Sequence, residues 1–278
     1  MTIHIVVDST ACLTAEQIEK MQNVAVVHLT VSQGDDSWQD GALPLSTLFE
    51  RVTATGVMTK TSQPSPAEFE RVLRPIAENG DEALVIVIDG ELSGTAQGAQ
   101  AAAERLDGRR IRVVDSRTTA AGLTQLAELA LLDIQAGCDL DEVERRTRER
   151  ATRTRAIFTV STLSYLYKGG RIGGAAAIVG TLLSIKPVLY LDAGKVAVFD
   201  KVRTRERSLR RLVEAVASEN PQAATVVEIE AQEEAQKVRN MLAEALPELT
   251  IAIANGGSVL GAHLGPGLVG ITYLLKAQ

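Results

Sequence analysis

Aromatic side chains are scarce in this chain, at 3% of 278 residues. Aliphatic packing must therefore fill the core. Single-stranded nucleic acid, which stacks its bases on rings, would find little to stack on. Basic residues are not in excess either. With 29 Lys and Arg against 35 Asp and Glu the net charge is −6, and duplex binding needs a positive face that this balance does not supply. The two cysteines, Cys12 and Cys138, lie far apart and show no metal-ligand spacing; they read as reduced thiols. No run reaches the roughly eighteen uninterrupted apolar residues of a membrane span. The opening "MTIHIVVDST" enters an apolar run with neither the basic region nor the small-residue cleavage site of a secretory signal. The expectation is a cytoplasmic protein with no stable membrane insertion, no metal and no cofactor.

What is present is an ordinary globular composition, 45% hydrophobic and 23% charged, long enough for one large domain or two medium ones. The first half alternates short β-rich runs with helical patterns. Strands are expected over 3–7, 24–31, 83–88 and 111–114, and helices after Thr14 (an N-cap with Gln17 three residues on), over 94–106, and over 118–135 up to Gly137. Continuous apolar strands alternating with helices predict a parallel sheet covered on both faces. After a charged helix over 139–152 the grammar changes. A strand over 156–160 precedes two strands, 186–191 and 195–202, that flank the hairpin signal "DAGK". A helix over 205–218, a strand over 225–230, a helix over 233–246 and strands over 250–254 and 269–275 complete the pattern. The fold class is α/β: a parallel α/β domain over 1–152, then an α+β domain with a largely antiparallel sheet over 153–278.

One stretch matches a well-known motif. Gly265-Pro266-Gly267-Leu268-Val269-Gly270 spells G-x-G-x-x-G. A working dinucleotide fingerprint follows a strand, opens a helix and has an acid about twenty residues later. Here a histidine loop precedes it, strand-like "ITYLLK" follows, and the sequence ends at Gln278. The match is accidental. "LDAGKV" lacks the first glycine and the hydroxyl of a phosphate loop, and Ser93 in "GELSG" stands one place late for a nucleophile elbow. His4 and His28 fall within expected strands and read as structural.

Hydroxyls gather where the parallel strands end. Asp8-Ser9-Thr10 closes the first strand, Asp115-Ser116 the fourth, and Asp89 leads to Ser93-Gly94-Thr95 at a helix start. Ligands bind at the carboxyl ends of strands in open α/β sheets, and helix N-termini favour anions. Ser9, Thr10 and Ser116 read as helix caps. Ser93, with Gly90 and Gly94 beside it, and the proline-stiffened loop Thr61-Ser62-Gln63-Pro64 make a better pair for one small anion. Neither loop carries Arg or Lys, so the expected anion is a carboxylate rather than a phosphate.

These residues resemble a known family. "VVDSTACL", "TSQPSPAEF", "LSGTAQGA", "VVDSRTTAAG", "YKGGRIGG", "IKPVLYLDAGKV" and "GAHLGPGLVG" are similar, in order and over nearly the whole chain, to the signature blocks of the DegV family of bacterial fatty-acid-binding proteins. The resemblance implies one long-chain fatty acid buried between the two domains. It also implies a carrier that is not itself an enzyme, and whose ligand's carboxylate is presented to a dihydroxyacetone-kinase-like fatty-acid kinase. That partner makes an acyl phosphate for phospholipid synthesis. Thr61, Ser62 and Ser93 are implied as carboxylate ligands, His263 as the basic group beside them, and Arg171 and Arg203 as the surface that engages the kinase. The chain departs from the family where Asp89-Gly90-Glu91 replaces two serines; Glu91 there either repels a carboxylate or faces solvent. Two alternatives share the site: a serine hydrolase or acyltransferase using Ser93 with His263, and a lipid sensor without a kinase.

Overall fold

A computed structural model describes residues 1–106, 108–181 and 185–277. In chain order the strands are β1 (Ile3–Asp8), β2 (Val24–Val27), β3 (Thr30–Gln33), β4 (Asp36–Gln39), β5 (Lys60–Ser62), β6 (Glu82–Val87), β7 (Ile111–Asp115), β8 (Thr154–Thr159), β9 (Lys186–Asp192), β10 (Lys195–Val202), β11 (Ala223–Ile229), β12 (Ala252–Asn255) and β13 (Leu268–Leu274). The helices are α1 (Ala15–Lys20), α2 (Leu45–Thr55), α3 (Pro66–Glu78), α4 (Thr95–Leu106), α5 (Ala121–Gln135), α6 (Leu140–Arg153), α7 (Ser164–Lys168), α8 (Arg205–Glu219), α9 (Gln232–Ala245) and α10 (Gly257–Leu264).

The first sheet runs β2-β1-β6-β7 and is parallel throughout. Alternation along its strands sends Ile5, Val7, Leu84 and Ile86 under α5 and α6, and Val6, Val85 and Val87 against Phe69 and Leu73 of α3 and Ala99 and Ala102 of α4. Both faces are dry, which is why these strands read as unbroken apolar runs. The second sheet, β10-β9-β8-β13-β11-β12, is antiparallel except between β11 and β12. Val188, Val226, Val269 and Ile271 pack beneath α8 and α9. The opposite face, with Phe158, Leu189, Val227 and Leu268, turns toward Leu29, Val31, Leu48 and Ala120 of the first half. The α/β plus α+β architecture is the one expected.

Local signals explain several boundaries. Thr14 with Gln17, and Ser65 with Glu68, form capping boxes, the second followed by Pro66 in the first turn. The hairpin between β9 and β10 turns through Ala193 (φ 46°) and Gly194 (φ 77°), the left-handed pair that matches strand twist.

Three expectations need correction. The single strand expected over 24–31 is two: β2 leaves the parallel sheet at Val27, and β3 joins a separate antiparallel sheet, β4-β3-β5. The break is made by Leu29, whose N–H donates to Ser9 Oγ and whose carbonyl accepts from Asp40; apolar periodicity carries no trace of it. The helix expected from 118 begins at Ala121, after Ala120 (φ 53°) reverses the backbone. The segment before the glycines is not a loop but α10, with His263 in its last turn. Asp40 Oδ1 accepts from the N–H groups of Ser258 and Val259, satisfying the first turn of α10 from the small sheet.

Candidate functional site

The loop expected from Thr61 to Pro64 is in its first two residues a short strand, and it meets the loop ahead of α4. Thr61 is the middle residue of β5, and Ser93 stands just ahead of α4. They meet because glycine lines the contact: a Cβ on Gly94 would lie 2.2 Å from Gln63 Oε1, and one on Gly98 3.0 Å from the Pro64 carbonyl. From the second half α10 brings His263, whose Nε2 lies 2.7 Å from Thr61 Oγ1. The other ring nitrogen, Nδ1, is buried without a hydrogen-bond partner. It presses on Gly169, where a Cβ would approach it to 2.5 Å. Arg171 follows two residues on; its Nε donates to the Leu92 carbonyl at 3.2 Å and its Nη1 to the Gly169 carbonyl at 2.9 Å.

Electrostatics define the cluster further. Burial lowers the His263 pKa to about 4, and the neighbouring Arg171 pushes the same way. Both effects favour the neutral ring near pH 7, in contrast to the basic group expected there. Asp89 is buried and its carboxyl accepts from the Glu91 N–H at 2.8 Å; burial raises its pKa. Glu91 points away from the hydroxyls, to the exposed Lys195 at 3.7 Å.

Thr61, Ser93, Arg171 and His263 line one end of a cavity of about 860 Å³, counting the solvent at its mouth. Most of the remaining wall is aliphatic, including Leu29, Leu166, Leu260, Leu264 and Leu268, with Phe158, Thr119 and Thr272 among the rest. Its floor is the inner face of β8 and β13, where the paired residues Phe158↔Gly270 and Ala156↔Thr272 face the first half. Gly270 stands opposite Phe158 with no room for a side chain, since a Cβ would lie 2.9 Å from Phe158 Cβ. Small residues on this face leave a trough along the strands, away from the polar end.

The sequence expectations fare unequally. Thr61, Ser93, His263 and Arg171 are brought to one cavity. Ser62 is not: alternation along β5 turns it outward, and it is exposed and outside the lining. Arg203 is exposed in the turn between β10 and α8, also outside the lining. One lining residue went unread. Thr119 has a buried Oγ1 with no hydrogen-bond partner; it falls inside the helix expected from 118, which begins only at Ala121. A hydrolytic triad is not assembled, since Ser93 Oγ pairs with Thr95 Oγ1 at 2.9 Å and the described residues offer His263 Nδ1 no acid. Among the described residues no cluster fits a metal ion and no helix is long and apolar enough to cross a membrane.

Residues 2–276 match a family model described as "Uncharacterised protein, DegV family". A DegV domain-containing protein of Streptomyces coelicolor is 36% identical over 275 residues, 97% of each chain. Among solved structures, a DegV family protein from Thermus thermophilus described by its fatty acid binding superposes with a TM-score of 0.92 at 31% identity, over 99% of this chain and 100% of its own. A fatty-acid-binding DegV family protein from Streptococcus agalactiae gives 0.90 at 29% identity, over 100% of each.

Proposed function

This chain is a member of the DegV family, and from that premise we propose that it carries one long-chain fatty acid, tail in the trough and carboxylate at Thr61, Ser93 and His263. The ligand then lies between a domain over 1–152 and another over 153–278. The observation that carries the reading is the 2.7 Å contact of Thr61 with His263 in a cavity whose wall is mostly aliphatic. Burying about fifteen methylenes yields roughly 12 kcal/mol gross, from which ordering the chain and losing translational freedom subtract several. That gain survives only if the carboxylate is not left bare. Hydroxyls at Thr61 and Ser93 supply donors, and an anion beside His263 favours the protonated ring, giving a charge-assisted bond of the stronger kind.

The protein in this reading is a carrier rather than a catalyst. It presents the carboxylate to a dihydroxyacetone-kinase-like fatty-acid kinase, which forms the acyl phosphate for lipid metabolism, while exposed Arg171 and Arg203 engage that partner. The setting is the cytoplasm. Titrating the delipidated protein with palmitate, hexadecanol and ATP tests the binding site. Palmitate binds tightly, hexadecanol more weakly and ATP not at all; equal binding of palmitate and hexadecanol, or binding of ATP, contradicts the reading.

A further inference from the structure

In a chain with one Trp, four Tyr and four Phe, three rings gather around a second cavity. Tyr190, Phe199 and Tyr273 line a space of about 670 Å³, counting its open mouth, with Arg155 and Glu219 at its edge. Tyr190 and Tyr273 belong to the face of the large sheet that packs under α8, opposite the trough. Yet this cavity and the trough share three lining residues, Ala156, Ile157 and Leu191.

Strand pairing explains how both faces reach the same residues. β8 pairs with β13 along its whole length from Thr154 to Thr159, but with β9 only from Ile157 to Thr159. β9 meanwhile stays on β10 through Asp192. The ladder between β8 and β9 therefore ends at Ile157, and the two strands part where the cavities meet. The shared residues rim this opening, and Ala156 contributes only a methyl to it.

The outer chamber offers ring faces beside its charged edge. The register between β9 and β10 shifts between Val198 and Asp200, so Phe199 occupies a bulge, a device that re-aims a side chain. Its ring stands edge-on to Tyr190 at 6.1 Å, lies 4.9 Å from the Arg211 guanidinium, and remains 42% exposed. The Tyr273 hydroxyl is already engaged with Glu219 at 3.2 Å, which leaves the ring itself to line the space.

We propose that the trough is open at its tail end. An unbranched saturated acyl chain too long for the trough passes between β8 and β9, beside Ala156 and Leu191, and lays its last methylenes on Tyr190, Phe199 and Tyr273. A closed end would force an overlong chain to buckle or withdraw its head group. An open end lets each added methylene keep gaining apolar contact. The ligand class thus extends to very long saturated fatty acids. This inference rests on the fatty-acid reading of the trough.

Myristate, stearate and behenate, titrated into the delipidated full chain and into Phe199→Asp, a change confined to the outer chamber, test it. The wild-type protein holds behenate as well as stearate, while the variant keeps myristate and loses behenate by about tenfold or more. A second measurement needs no variant: stearate carrying a nitroxide near its methyl end broadens the ring-proton resonances of Phe199. A collapse of wild-type affinity from stearate to behenate, equal treatment of myristate and behenate by the variant, or unbroadened Phe199 resonances overturns the open end while leaving the trough intact. Failure of all three acids to bind the wild-type protein overturns the fatty-acid reading itself.

Discussion

Thr61 Oγ1 and His263 Nε2, separated by 202 positions in sequence, lie 2.7 Å apart across the two halves of the chain. The contact joins the middle of a three-residue strand to the last turn of a helix whose N-terminus is held by Asp40. It makes the hydroxyl end of the cavity a property of both halves at once.

Removing each partner separates holding the ligand from presenting it. His263→Ala leaves the aliphatic wall intact, so the purified variant retains its lipid but fails to support acyl-phosphate formation with the kinase. Thr61→Val removes one hydrogen bond to a charged group, worth about 1.5–3 kcal/mol, and weakens palmitate binding roughly ten- to a hundredfold. Lipid quantification and a coupled kinase assay read both; normal turnover by His263→Ala contradicts the role given to the histidine.

Binding takes up a proton. His263 alone titrates near pH 4 because it is buried beside Arg171, and a carboxylate at Nε2 raises that value. Between the free and bound pKa values the complex carries a proton that the free protein lacks. Affinity for the anion therefore falls as pH rises through that window. Calorimetry at pH 6 in two buffers of different ionisation enthalpy shows different apparent binding enthalpies for the wild-type protein, and equal ones for His263→Ala. Equal values for both proteins contradict the coupling.

The trough depends on Gly270. Its replacement by Val puts a Cβ 2.9 Å from Phe158 Cβ and further methyls into the floor. Overpacking of this kind costs about 1–3 kcal/mol, seen as a lower melting temperature. The folded fraction carries less lipid with shorter chains. Unchanged chain-length distribution in extracted lipid would show that the chain does not run along β13.

Glu91, the acid at the departure from the family pattern, is a bystander. It faces exposed Lys195 rather than the hydroxyls, and an exposed pair contributes at most about 1 kcal/mol. Glu91→Gln leaves palmitate affinity within about twofold. A marked gain in affinity would place the carboxylate nearer the head group than this geometry does.

Much of this fold was legible because its signals are local. Unbroken apolar runs marked β1 and β6, strand-like residues after the glycines marked β13, the turn through Ala193 and Gly194 marked a hairpin, and Thr14 with Gln17 marked a helix start. The hydroxyls at Thr61 and Ser93 were legible, although Thr61 was expected in a loop and lies in β5. Their meeting with His263 was not, because no local pattern encodes a contact over 202 positions; only the family resemblance supplied it. Ser62 was misplaced because a motif names neighbours, whereas strand alternation sends neighbours to opposite faces. Thr119 was missed because the positive φ of Ala120, which delays α5, leaves no mark in periodicity. The parting of β8 from β9 depends on where pairing stops, and the composition of neither strand records that.

The most direct test of the central claim is the identity of the lipid that travels with the protein. Organic-solvent extraction of the purified chain, read by mass spectrometry against protein concentration, gives one long-chain fatty acid per chain. A nucleotide in its place, or no fatty acid at all, contradicts the account.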